Sequence, residues 1–225
     1  MWWCLLFFLV FPSVGWSFDR IVSLSPQITE SVFLLDAGDR LVAVTDMCTR
    51  PGGLSEKEKI GKPLAPDVER IIALNPDLVL ASREGNPPWV VERLKRMGVR
   101  VRYFPRPHNF QEVCDNFIVL GRELKRQEEA RAIVDYVHRQ LRSGDSSSSK
   151  RLMWQVGADP LVVASASSFV NDMIVFAGGV NVIETSLPYP RLNREEVLAK
   201  KPDFIVLMDM GYNVDVEKER WRRRL

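Results

Sequence analysis

Histidine and cysteine are scarce in this chain of 225 residues, with two of the first and three of the second. His108 and His138 lie far apart and no Cys–His spacing of a zinc site occurs, so no resident metal is expected. Excess charge is also missing. The formal net charge is +2, which gives no electrostatic reason to expect a nucleic-acid partner. The apolar run from Trp2 to Phe11 falls short of the roughly 20 residues that a membrane-spanning helix needs. No glycine-rich phosphate loop and no nucleophile elbow occurs, so no catalytic residue is assigned and an enzyme is not expected. With 46% apolar and 27% charged residues, the chain has the composition of a folded protein with one or two cores.

The first 17 residues, MWWCLLFFLVFPSVGWS, differ from everything after them. A short apolar run, then Pro12, then Gly15 and Ser17 at −3 and −1 of a cut before Phe18, reads as a secretory signal peptide. Its n-region lacks Lys and Arg, so an uncleaved anchor or a mis-assigned start stays open. Cys4 precedes the run and is no lipidation site. The mature chain is therefore expected to be exported and soluble, with Cys48 and Cys114 as its cysteines. A disulfide between them is permitted in an oxidising compartment. The apolar stripe Phe110, Val113, Phe117, Leu120 and Leu124 beside Cys114 favours a buried free thiol.

What the chain does contain is a stretch stated twice. Residues 68–82, VERIIALNPDLVLAS, and residues 194–208, REEVLAKKPDFIVLM, align without a gap. Glu69 meets Glu195, Ile71 meets Val197, Pro76 meets Pro202 and Asp77 meets Asp203. Each copy predicts a short helix, a Pro-Asp turn and a buried β-branched strand. A thinner echo precedes each copy. Residues 20–44 read strand, Ser25-Pro26, helix, Gly38, strand. Residues 161–183 read strand, serine cluster, helix, Gly178-Gly179, strand. Ser25 suits an N-cap, Pro26 the first helical position, and Gly38 and Gly178 a helix C-terminus. Two similar α/β lobes are expected.

The resulting organisation is a signal peptide (1–17), an N-terminal α/β lobe (18–125), a connecting helix with a serine-rich loop (126–149), and a C-terminal α/β lobe (150–225). Loops rich in polar and special residues follow the expected strands near Ile21, Leu41, Leu78 and Val99 to Val101. In open parallel sheets such loops at the carboxyl ends of strands form the ligand crevice. Asn109 and Glu112 have capping-box spacing and open a helix ending near Lys125. The helix from about Gln127 to Arg142 carries Ala130, Val134, Val137 and Leu141 on one stripe. His138 is placed on its solvated face.

Several ordered motifs carry a resemblance: Ser25-Pro26-x-x-Thr29-Glu30 after a strand, Asp67-x-Glu69-x-Ile71-x-x-Leu74-x-Pro76-Asp77-Leu78-Val79, Ala177-Gly178-Gly179-x-Asn181, and Pro190-x-x-x-Arg194-Glu195. Together they resemble the class III substrate-binding proteins of ABC importers, which include vitamin B12-binding, ferric-siderophore and haem receptors. The resemblance runs from Arg20 to about Met210. It implies two Rossmann-like α/β lobes joined by one long helix, with a ligand held between them. It also implies a monomer that docks on a dimeric membrane permease in the periplasm. Family members run beyond the point reached by Tyr212, so an incomplete second lobe is expected. No cofactor is implied, because cobalt or iron would arrive inside the ligand.

The resemblance makes Glu69 and Glu195 permease-docking residues, each in the first turn of a short helix where the dipole favours a carboxylate. Ligand-contact candidates on the loops are Ser25, Pro26, Met47, Cys48, Arg83, Gly85, Asn86, Arg106, His108, Ser167 and Tyr189. Met47 and Ser82 fall where vitamin B12-binding members carry aromatic residues, and Tyr189 replaces a tryptophan, which leaves a corrinoid, a ferric siderophore and haem all open. Trp89 offers a substitute aromatic surface. Arg83, Arg106 and His108 suit an anionic chelate. Ser165, Ser167 and Ser168 suit ligand hydrogen bonding or helix capping. A non-transporting sensor module of the same fold and a two-lobed α/β enzyme remain the competing readings.

Overall fold

A computed structural model describes residues 18–142, 149–209 and 211–223. The expected signal peptide (1–17) and most of the serine-rich loop (143–148) lie outside the described residues. The chain divides into two compact units, one through Tyr103 and one from Phe104 onward. The boundary drawn from sequence near Lys125 therefore falls inside the second unit, between two helices that pack on each other.

The first unit runs β1 (Ile21–Ser23), α1 (Pro26–Leu34), β2 (Leu41–Val44), β3 (Glu58–Lys59), β4 (Gly61–Lys62), β5 (Ala65–Pro66), α2 (Val68–Ala73), β6 (Leu78–Ser82), α3 (Pro88–Arg96) and β7 (Val101–Phe104). Its sheet has the order β3-β2-β1-β6-β7, and β1 pairs in parallel with both β2 and β6. All five residues of β6 are buried, as a strand covered on both faces by helices must be. The core gathers Val22, Leu24, Ala43, Ile60, Val68, Ile71, Val79, Ala81, Val90 and Leu94. Strand order reverses between β1 and β6, the switch point at which open α/β sheets gather ligands.

The second unit runs α4 (Phe110–Glu123), α5 (Gln127–Arg142), β8 (Lys150–Ala158), β9 (Leu161–Ala164), α6 (Val170–Phe176), β10 (Gly179–Asn181), α7 (Arg194–Ala199), β11 (Phe204–Leu207) and α8 (Val214–Arg222). Strand β8 pairs in parallel with β10 and β11 and forms an antiparallel hairpin with β9. Met153, Val163, Val182, Val197 and Trp221 fill its core. Among the described residues no helix is long and apolar enough to cross a membrane.

The doubled stretch is real in three dimensions. Helices α2 and α7 are six residues each, and their N-caps, Asp67 and Asn193, each accept the backbone N–H three residues on. Ile71 and Val197 are both fully buried. Asn75 and Lys201 both take a left-handed conformation before the proline, with φ of 46° and 50°. The aspartate of each Pro-Asp turn caps the start of the central strand. Asp77 Oδ2 accepts the N–H groups of Asp19 and Arg20 at 2.9 Å, and Asp203 Oδ2 accepts that of Arg151 at 2.8 Å. Arg20 and Arg151 each donate Nη2 to a carbonyl at the end of the short helix, Leu74 or Lys200, at 2.7 Å.

Those bonds correct the upstream echo. The counterpart of β1 is β8, since Arg20 and Arg151 hold the same place. Strand β9, which the echo matched to β1, is the antiparallel arm of a hairpin. Three further expectations change. Ser25 occupies the N-cap position of α1, with Pro26 at the first turn, but its side chain makes no capping bond. Asp36, with φ of 52°, takes the left-handed position after α1, while a Cβ at Gly38 would lie 2.6 Å from the Phe33 ring and would force that ring to move. His138 is half-buried and packs edge-on against Phe110, 5.7 Å between ring centroids, and is not on a solvated face. Gly178, with φ of 74°, ends α6 as expected.

Candidate functional site

In the first unit the carboxyl ends of the strands are tied together by short buried polar side chains. Thr29 donates its hydroxyl to Ser23 Oγ at 2.8 Å and lies 3.3 Å from Cys48 Sγ, which is 3.2 Å from Thr45 Oγ1. Asn86, 3% exposed, stands over the switch point. Its Oδ1 accepts from Ser82 N at 2.8 Å, and its Nδ2 donates to the carbonyls of Leu24 at 2.9 Å and Pro63 at 3.0 Å. Tyr103 donates its hydroxyl to the Asn86 carbonyl at 2.8 Å. One side chain thus fastens the loops after β1, β4 and β6.

Several candidates face inward accordingly. Ser25 is buried and directs its hydroxyl to Gln27 Oε1 at 2.5 Å, while Gln27 donates to Glu84 Oε2 at 3.0 Å. Cys48 is buried with a free thiol, as is Cys114, whose thiol burial pushes upward in pKa. Pro26 and Gly85 are half-buried. The outward-facing members are Met47 and Arg83. Met47 is 62% exposed, and the Arg83 guanidinium lies 5.5 Å from the Tyr103 ring centroid. Leu64, in the β4–β5 hairpin, and Trp89, in the first turn of α3, are also well exposed. A guanidinium held over an aromatic ring can meet a carboxylate or phosphate.

In the second unit Arg106 is exposed, and exposed His108 closes on Glu112, with Nδ1 3.1 Å from Oε2. Glu112 also accepts the His108 backbone N–H at 2.8 Å; these two bonds hold its carboxyl below the usual range. The capping box expected at Asn109 is therefore half made, because the Glu112 carboxylate turns to His108. The complete box stands at Asn193 and Glu196, where an Asn-x-x-Glu pattern could have been read. Ser165 and Ser167 donate to the carbonyls of Leu187 and Thr185, both at 2.7 Å, and so hold the loop carrying Tyr189, which is 41% exposed. Helix α6 has no side-chain cap, so the serines fix the loop instead.

Glu69 and Glu195 are both exposed in the first turns of α2 and α7. Glu69 forms an ion pair with Arg93 of α3, a partner absent from the sequence reading. Glu195 lines a polar pocket of about 430 Å³ together with Asp159, Asn193, Arg194 and Arg220. Behind it lies a buried cluster. Glu217, 1% exposed, accepts from Gln155 Nε2 at 2.9 Å and Arg194 Nη2 at 2.5 Å, and Gln155 Oε1 accepts from Trp221 Nε1 at 2.7 Å. Among the described residues no three His, Cys, Asp or Glu side chains converge as a metal site.

Comparison with known proteins places this geometry. The profile of a family described as periplasmic binding protein matches residues 21–221. A curated vitamin B12-binding protein of Vibrio parahaemolyticus is 28% identical over 225 residues, covering 98% of this chain and 82% of that protein. The crystal structure of a periplasmic vitamin B12-binding protein of Vibrio cholerae superposes with a TM-score of 0.69 at 25% identity, covering 92% of this chain and 83% of the other. A periplasmic haem-binding protein of Roseiflexus gives 0.71 at 25% identity, covering 87% and 78%.

Proposed function

The chain belongs to the family of periplasmic binding proteins, and from that premise we propose that it is the exported substrate-binding component of an ABC importer. Its ligand is a metal chelate: a cobalamin-like corrinoid, a ferric siderophore or haem. The observation that carries the reading lies in the first unit, where Met47, Leu64 and Trp89 are exposed large hydrophobic side chains, Arg83 lies over the Tyr103 ring, and the amide of Asn86 is bonded inward. Such a surface favours a large apolar face with carboxylate or phosphate at its edge and offers little to a small neutral solute. Within the second unit, Arg106, His108, Ser167 and Tyr189 are the proposed contacts. Glu69 and Glu195 meet arginines of a membrane permease dimer, so that charge complementarity steers docking and sets its register. Relatives named for binding vitamin B12 and haem support the ligand class.

The test is a binding panel of cyanocobalamin, haemin and ferric hydroxamate and catecholate siderophores, read by tryptophan quenching and calorimetry. Saturable micromolar or tighter binding of one class, with the compound recovered unchanged, is expected. Failure of all of them, or chemical turnover of one, would refute the assignment.

A further inference from the structure

Glu69 and Glu195 occupy the same position in two copies of one motif, yet their surroundings differ. In the first unit, the Arg93 guanidinium on α3 reaches Glu69; both side chains are well exposed, 48% and 68%. Helix α8 follows β11 as α3 follows β6, and two of their buried positions, four residues apart in each, can be set against each other. Val90 corresponds to Glu217, Leu94 to Trp221 and Arg93 to Arg220. The first two pairs are buried in both units. Where the first unit has an apolar Val90, the second has a carboxylate, and Arg220 lies 3.4 Å from that carboxylate. In the first unit no acid stands at that position, and Arg93 turns to Glu69.

We infer that Arg93 is an internal competitor for the Glu69 docking carboxylate, holding it until an arginine of the partner membrane protein displaces the contact. The inference rests on the docking role given above. The exchange swaps one exposed guanidinium–carboxylate pair for another, and the released Arg93 returns to water. It is therefore fast and nearly balanced. Its consequence is that the first unit docks more weakly than its charge alone allows, which favours release after delivery. An exposed pair of this kind holds back about two- to fivefold in affinity.

The experiment measures capture of the ligand-loaded protein by nanodiscs carrying an ABC permease of the vitamin B12 importer class. Wild type, Arg93→Ala, Arg93→Lys, Glu69→Gln, Glu195→Gln and the Arg93→Ala/Glu69→Gln double variant are compared at low and high salt. Arg93→Ala is expected to tighten capture about two- to fivefold at low salt, Arg93→Lys to keep capture close to wild type, and Arg93→Ala to have no effect once Glu69 is Gln. Weaker capture by Arg93→Ala would make Arg93 a direct partner contact and overturn the inference. Equal tightening in the Glu69→Gln background would reduce it to long-range charge and overturn it equally. No tightening by Arg93→Ala, while Glu69→Gln still weakens capture, would refute the competitor and leave docking standing. Unchanged capture by both Glu69→Gln and Glu195→Gln would remove the docking role and the competitor with it. Carbodiimide labelling of Glu69, read by mass spectrometry, should rise in Arg93→Ala without any permease, and an unchanged rate would count against the pair itself.

Discussion

Replacing Glu217 by Gln keeps the shape of a buried side chain and removes its charge, so it isolates what that charge holds. Arg194, whose side chain is 18% exposed, bonds Glu217 through Nη2 at 2.5 Å, and its Nε is buried with no hydrogen-bond partner. The variant leaves this guanidinium without its counter-charge, and the new amide nitrogen, at the Oε2 position, turns a donor toward the Arg220 guanidinium. Breaking a buried ion pair by removing one member costs about 3–5 kcal/mol. Gln155 and Arg194 both donate to Oε1, so an amide oxygen placed there keeps both bonds, and the lower end, about 3 kcal/mol, is expected. For a chain of this size that lowers the melting temperature by roughly 6–12 °C. Burial alone would push the Glu217 carboxyl up, but the bonds from Gln155 and Arg194, with the charges of Arg194 and Arg220, outweigh it and hold it below its ordinary value of 4.5. A carboxyl depressed in the folded state stabilises fully above its unfolded value and loses that contribution as pH falls through the folded value. The gap between wild type and variant should therefore be full at neutral pH and close only below about pH 4.5. Urea unfolding across that range, with exchange of the Trp221 indole N–H as the local reading, measures both. A gap under about 1 kcal/mol at neutral pH, the size of a surface pair, would refute the buried-charge argument. A gap that survives acid would refute the titration.

Asn86→Ala strands one donor and two carbonyls at the switch point and should cost about 2–4 kcal/mol, with weaker ligand binding as the loops loosen; unfolding midpoints alongside calorimetry check it. Met47→Ala and Arg83→Ala should do the reverse, lowering ligand affinity while leaving the midpoint within about 0.5 kcal/mol. Gly121→Ala puts a Cβ 2.5 Å from Ala130 Cβ and 2.9 Å from the Arg126 carbonyl, so overpacking should outweigh the gain in helix propensity and destabilise the α4–α5 pair by about 1–2 kcal/mol, read by thermal melts. Charge reversal at Glu69 and Glu195 together should abolish ligand uptake in a transport assay and leave ligand affinity unchanged.

The repeated helix, Pro-Asp turn and strand were legible because each copy carries its own signals: Ile71 and Val197 at core positions, prolines that stop the helices, β-branched runs after them. Strands β1, β2, β6 and β7 were legible for the same reason, whereas β3, β4 and β5, two residues each, carry no such run. The job of Asp77 and Asp203 was not, since capping the neighbouring strand is a contact between residues far apart in sequence with no periodicity to betray it. The same holds for Arg20 and Arg151, whose bonds run to backbone carbonyls. Matching β9 to β1 failed because Leu161-Val162-Val163 looks like any buried strand, and only the hydrogen-bond register reveals an antiparallel arm. Glu112 reads as the capping partner of Asn109, and its place four residues on from His108 is the signal for the contact its carboxylate makes instead.

The candidate contacts divide by a rule that sequence does not express. A polar residue at the carboxyl end of a parallel strand can face a ligand or satisfy the backbone of neighbouring loops, and composition favours both equally. The backbone has first claim where strands end at a switch point, because buried N–H and C=O groups there have no ladder partner and each costs free energy if left unmade. Asn86 answers three such groups at once, and Ser23, Thr29 and Thr45 join the strand ends around Cys48. With those demands met from within, the outward-facing side chains of the first unit are mixed, with Met47, Leu64, Trp89 and Arg83 exposed as well as Gln27, Asp46 and Glu84. Under the proposed function, the side chains that set specificity in that unit are those that can be exchanged without disturbing the loops that carry them, and the inward bonds of Asn86 are what keep the loops in place when they are.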